Sequence, residues 1–172
     1  MNEIKAFVKR FNAKLEIDER LVVKKRNRYY LLSKTLKHQI SDKFFFAGTY
    51  LGAVKGDSFF PSFILLRMIA TRKANKIVVD NKTAWLFICG RDIFKQGIVK
   101  ATNLKKGHYA LVLNKRNECL GFGKVTINIQ QEIDLRRVAL KNILDIGDFL
   151  RREKPKRSSR KRHNTNIQFG FA

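Results

Sequence analysis

Apolar positions at the start of the chain fall into a helical rhythm. Ile4, Phe7, Val8 and Phe11 stand at i, i+3, i+4 and i+7, with Lys5, Lys9 and Arg10 elsewhere on the wheel. This spacing predicts one amphipathic helix over residues 2–13 with a basic solvent side. The rhythm then changes. Leu21-Val22-Val23 and Tyr29-Tyr30-Leu31-Leu32 flank the polar run KKRNR, which reads as two paired strands joined by a short turn. Ser33 can cap a short helix reaching about Ile40. FFFAGTYLGAVKG (44–56) is extended in composition, and Gly48, Gly52 and Gly56 read as bends in a strand, because the neighbours are β-rich and charged. Pro61 and Ser62 then open a second helix, from Phe63 to about Lys73.

The composition shifts at TRKANK (71–76), which reads as a small polar, basic hinge. Beyond it come KIVVD, GIVKA, HYALVL and CLGFGKVTI, short strands punctuated by glycine, the pattern of a small barrel. Between the first two, Ala84-Trp85-Leu86-Phe87-Ile88 has room only for a short helix, with Trp85 expected in the core. RRVALKNILDIGDFLRRE predicts a strand, a turn at Gly147 and a terminal helical turn. The fold class expected is α+β: an N-terminal antiparallel sheet with helices (1–73), then a β pseudo-barrel (76–153), then a flexible basic tail (154–172).

Charge narrows the function. Lys and Arg number 37 against 14 Asp and Glu, a net charge of +23. Such an excess repels itself and calls for a polyanion: RNA, DNA or an anionic membrane surface. The longest apolar stretch, Phe59 to Ala70, is too short for a bilayer and holds Pro61 and Arg67. The N-terminal run lacks the apolar segment and cleavage site of a signal peptide, so a cytoplasmic location is expected. Cys89 and Cys119 are then expected as buried, reduced thiols. Residues 151–163 hold eight Lys and Arg against one Glu, with Pro155 and a Ser pair breaking any helix.

Enzymatic constellations are missing. Gly121-Phe-Gly123 lacks the third glycine of a dinucleotide fingerprint, and no phosphate-cradling GxxxxGK[ST] occurs. His38, His108 and His163 have no partner at metal-ligand spacing, so no metal and no cofactor are expected. Asp145 and Asp148 read as surface or turn residues. Of Tyr29, Tyr30 and Phe44-Phe45-Phe46, at least half are expected in the core, since neighbours in a strand face opposite ways. Base stacking stays open for the others.

WLFICGRDIFKQGIVKATNLKKGHYALVLNKRNECLGFGKV resembles a PUA domain, a small pseudo-barrel RNA-binding module. The resemblance rests on an aromatic-apolar run into Gly90, glycines at 97 and 107 before strands, and LGFG at 120–123. With GTYLGAVKG, FFPSFILLRMIA and DIGDFLRRE, residues from about 44 to 153 are similar to the "Nip-seven" family of archaeal and eukaryotic proteins. Members act in pre-ribosomal RNA processing and large-subunit assembly. The resemblance implies an RNA-binding ribosome-assembly factor without catalytic activity, acting as a monomer. It implies binding of pre-rRNA, single-stranded or U-rich, and contacts with other pre-ribosome factors, the exosome among them. It places RNA contacts on Arg151 and Arg152, with Lys154, Lys156 and Arg157 close behind, and on the Gly90–Gly97 loop through Arg91, Lys95 and Gly97. The alternative class is a targeting subunit or component of an RNA-modifying enzyme, serving tRNA guanine exchange or pseudouridine formation.

Overall fold

The computed structural model describes residues 1–41 and 44–152, without the side chains of Phe149, Leu150 and Arg152. The first helix, α1 (Asn2–Lys9), buries Ile4, Phe7 and Val8. It stops short of the sequence expectation because Asn12 adopts a positive φ of 52° and turns the chain. Phe11 is nevertheless fully buried beyond the helix end. A four-stranded antiparallel meander follows, β1 (Val22–Lys25), β2 (Arg28–Leu31), β3 (Thr49–Lys55) and β4 (Ser58–Pro61), paired in that order. Ser33 and Ser62 cap α2 (Lys34–Gln39) and α3 (Phe63–Ala70), accepting the amides of Leu36 and Leu65 at 3.2 and 3.1 Å.

Tyr29 and Tyr30 are adjacent and both buried, because each face of this sheet is covered. Tyr29 packs beside Phe59 with ring centroids 6.1 Å apart. Tyr30 packs on the other side against Phe44, Phe46 and Tyr50.

The second half forms a mixed six-stranded sheet that curls into a nearly closed barrel. Its strands are β5 (Lys76–Val79), β6 (Ile93–Phe94), β7 (Ile98–Ala101), β8 (Tyr109–Leu113), β9 (Cys119–Val125) and β10 (Val138–Asp145). Their order is β6-β10-β9-β8-β5-β7, antiparallel except where β5 runs parallel to β8. Two helices complete it, α4 (Asn81–Ile88) and α5 (Gly147–Arg152). Strand β8 reads as a continuous apolar run because both of its faces are covered. Ala110 and Val112 point into the barrel with Ile77, Phe87, Val125 and Leu140. Leu111 and Leu113 point the other way, into a cluster with Phe7, Phe11, Leu65 and Ile69.

That second cluster draws residues from both halves. Phe122 of β9 lies 5.6 Å from Phe7 and 5.5 Å from Phe11 between ring centroids, both edge-to-face. The polar segment at 71–76 is drawn in as well. Ala74 and Asn75 are buried; the Asn75 amide donates to Phe11 O at 2.8 Å, and its side chain donates to Tyr109 O at 3.2 Å.

Three sequence expectations change. Trp85 is not in the core but 64% exposed. Cys89 is exposed, and only Cys119 is buried. Asp145, expected at the surface or in a turn, is 2% exposed. No helix among the described residues is long and apolar enough to cross a membrane.

Candidate functional site

Helix α4 sets the geometry. Its cap Asp80 accepts the Thr83 amide at 2.7 Å, and this backbone hydrogen bond lowers the Asp80 pKa below its ordinary value. The start being fixed, Ala84, Phe87 and Ile88 fall at i, i+3 and i+4 on the inner side, with Phe87 fully buried. Trp85 and Leu86 are thereby turned outward. Lys82, Trp85 and Cys89 form an exposed stripe along the helix.

The last turn of α4 leaves carbonyls without intrahelical partners. Side chains from β10 and α5 supply donors. The Asn142 amide nitrogen donates to Phe87 O at 3.0 Å and to Asp145 Oδ2 at 3.0 Å. The Arg151 guanidinium donates to Ile88 O at 2.5 Å and to Asp145 Oδ2 at 2.7 Å, with Asp148 at 4.0 Å. A cation here also complements the negative end of the helix dipole. The hydrogen bond that Arg151 donates to Asp145 raises the Arg151 pKa above its ordinary value, so the group is fixed as a cation. Asp145 Oδ1 is buried and accepts no hydrogen bond among the described residues.

Two glycines make this junction possible. Gly90 holds a φ of +87° and lies under the Arg151 guanidinium, where an added Cβ would sit 3.3 Å from its carbon. Gly147 passes so close to Ile88 that a side chain would collide with its carbonyl. The turn between α4 and β6 is tied down further by the backbone N–H of Asn142, which donates to Asp92 Oδ1 at 2.9 Å.

The structure thus brings two of the sequence-derived residues together. Arg91 is exposed and directly follows Gly90, on which Arg151 rests. Lys95 and Gly97 lie elsewhere, beyond β6. The Lys95 amide donates to Arg137 O at 2.9 Å, beside exposed Arg136. Gly97 is buried, and any side chain there would collide with Thr83, so its visible role is close packing of the 3-10 turn before β7 against α4. Arg152 falls in α5. Lys154, Lys156, Arg157 and the rest of the basic tail lie outside the described residues. Sequence reasoning missed Asn142 and Asp145, which hold the junction, and Trp85, which is presented beside it.

Residues 75–154 match the family model described as the UPF0113 PUA domain. A UPF0113 protein of Archaeoglobus fulgidus is 28% identical over 82 residues, covering 46% of this chain and 47% of that protein. The match therefore spans about half the length of that relative. A conserved PUA domain protein from Thermoplasma acidophilum superimposes with a TM-score of 0.55 at 19% identity, covering 90% of this chain and 93% of that one. A PUA domain from Aeropyrum pernix K1, solved as a tartrate complex, gives a TM-score of 0.54 at 13% identity, covering 87% and 84%. The second half of this protein, the barrel that carries the α4–α5 junction, has the fold of a PUA domain.

Proposed function

We propose that this protein binds single-stranded RNA through the exposed face of α4 and the adjoining α4–α5 junction. One observation carries the reading: the outward indole of Trp85 lies on the short helix whose C-terminal end is followed by Arg91 and met by Arg151 of α5. An unstacked base needs an aromatic or guanidinium plane, and its phosphate needs a cation held in place. This face supplies both. The net charge of +23 adds attraction that does not depend on sequence.

Within that reading the protein is a ribosome-assembly factor that engages U-rich pre-rRNA and has no catalytic step of its own. Support comes from the ordered glycine and aromatic motifs from 85 to 123, from DIGDFLRRE at 145–153, and from the PUA fold. The binding claim is tested by fluorescence anisotropy with a labelled oligouridylate and the Trp85→Ala and Arg91→Ala variants. Each should weaken binding while leaving the unfolding midpoint in place; two neutral variants would refute the site. The cellular claim is tested by gradient sedimentation of ribosomal particles. Association with large-subunit precursors alone is expected, and stoichiometric presence on mature subunits would overturn it.

A further inference from the structure

A second exposed aromatic and basic surface lies on the other half of the molecule, on the four-stranded sheet. Phe45 is 82% exposed and Phe46 61% exposed, among the most solvent-facing large apolar side chains described. Neither is a stray surface residue. Phe46 packs edge-on against buried Tyr30 with centroids 5.2 Å apart, and Phe44 packs on the same ring at 6.0 Å. The three-phenylalanine run is thus anchored through Tyr30, with Phe45 left facing outward.

Beside it stands the β1–β2 turn, Lys25-Arg26-Asn27-Arg28. Arg26 holds a φ of +54°, and the Asn27 side chain donates to Val54 O at 2.9 Å, which pins the turn to β3. The turn, Phe44 and Phe45 line a cleft of about 430 Å³, floored in part by Tyr30 and with no acidic side chain among its described lining residues. The Lys25 ammonium sits 5.2 Å over the Phe44 ring.

The geometry points to a second contact for single-stranded nucleic acid in this cleft, with Phe45 stacking a base while Arg26 and Arg28 meet the flanking phosphates. A single strand alternates flat bases with anionic phosphates, and this surface alternates flat rings with cations at close quarters. An acidic peptide would answer the arginines but leave the phenylalanines unused. A membrane would take protruding aromatics as wedges, whereas Phe44 and Phe45 line a concavity next to a polar turn. This second contact deepens the RNA-binding reading above, and one strand reaching both surfaces would be held at two points.

The test uses the full chain and a short oligouridylate carrying 4-thiouridine, crosslinked by near-ultraviolet light and mapped by mass spectrometry. Crosslinks are expected at residues 25–28 or 44–46 as well as at 82–91. In parallel, Phe45→Ala should weaken oligouridylate binding about 5- to 150-fold, the range for losing one base–aromatic stack. Phe45→Trp should retain it, and neither should shift the unfolding midpoint. Crosslinks confined to 82–91 and 147–152, with a neutral Phe45→Ala, would remove this second site and leave the α4 reading standing. Crosslinks confined to 25–28 and 44–46 would do the reverse. Equal weakening by Phe45→Ala of binding to polyglutamate, or to phosphatidylserine vesicles, would overturn the assignment to nucleic acid.

Discussion

Replacing Asn142 with alanine should loosen the whole turn that presents Arg91. Among the described residues its side-chain amide is the one group that donates both to the Phe87 carbonyl at the end of α4, at 3.0 Å, and to the buried carboxylate of Asp145, at 3.0 Å. A hydrogen bond to a charged acceptor contributes roughly 1.5–3 kcal/mol, and one to a neutral carbonyl roughly 0.5–1.5 kcal/mol. The site is half-buried, so water can replace part of what is lost, and the expected destabilisation is about 2–3 kcal/mol. The Arg151 hydrogen bonds to Ile88 and Asp145 remain, which holds the effect below complete loss of the junction. Urea unfolding gives the free energy, and amide hydrogen exchange at Gly90 and Arg91 should speed up more than exchange in β8. RNA affinity of the folded variant should fall although Asn142 itself contacts no base. A loss under about 0.5 kcal/mol, the usual range for a surface substitution, with unchanged exchange at the turn, would refute the claim that Asn142 organises this junction.

Three further outcomes follow from the packing. Phe122→Ala removes a ring shared between α1 and the barrel and should cost about 3–5 kcal/mol. Both halves should then unfold at one lowered midpoint, and separate midpoints would show that the shared cluster does not couple them. Gly97→Ala drives a methyl group into Thr83 and should cost about 1–3 kcal/mol by urea unfolding, with partial recovery on adding Thr83→Ala. Iodoacetamide on the native protein should label exposed Cys89 and spare Cys119, whose thiol burial pushes its pKa up to about 11. Labelling of Cys119 without denaturant would contradict its burial.

Much of the fold was legible because local signals agreed with one another. Ser33 and Ser62 cap the helices expected of them, and the barrel strands sit where glycine-bounded apolar runs placed them. The site was harder to read, for physical reasons. AWLFI is apolar on every side, so its sequence gives no phase. The phase comes from the Asp80 cap and from Phe87 entering the barrel, which together push Trp85 outward. Asp145 looked like turn chemistry because nothing local shows that β10 ends inside the molecule. Its partner Arg151, six residues on, was visible in the sequence, but the pair becomes meaningful only once the end of α4 is brought between them. Gly97 carried a turn signal whose actual cause is the close passage of Thr83.

Trp85 is the chain's sole tryptophan and is exposed, so indole fluorescence comes from the proposed RNA surface alone. Titrating the native protein with unlabelled oligouridylate, exciting the indole and following binding in parallel by anisotropy, tests the central claim most directly. The account predicts saturable quenching of Trp85 emission with the same midpoint as binding, because a base stacks on the exposed indole. RNA that binds to saturation while Trp85 emission stays unchanged would contradict it.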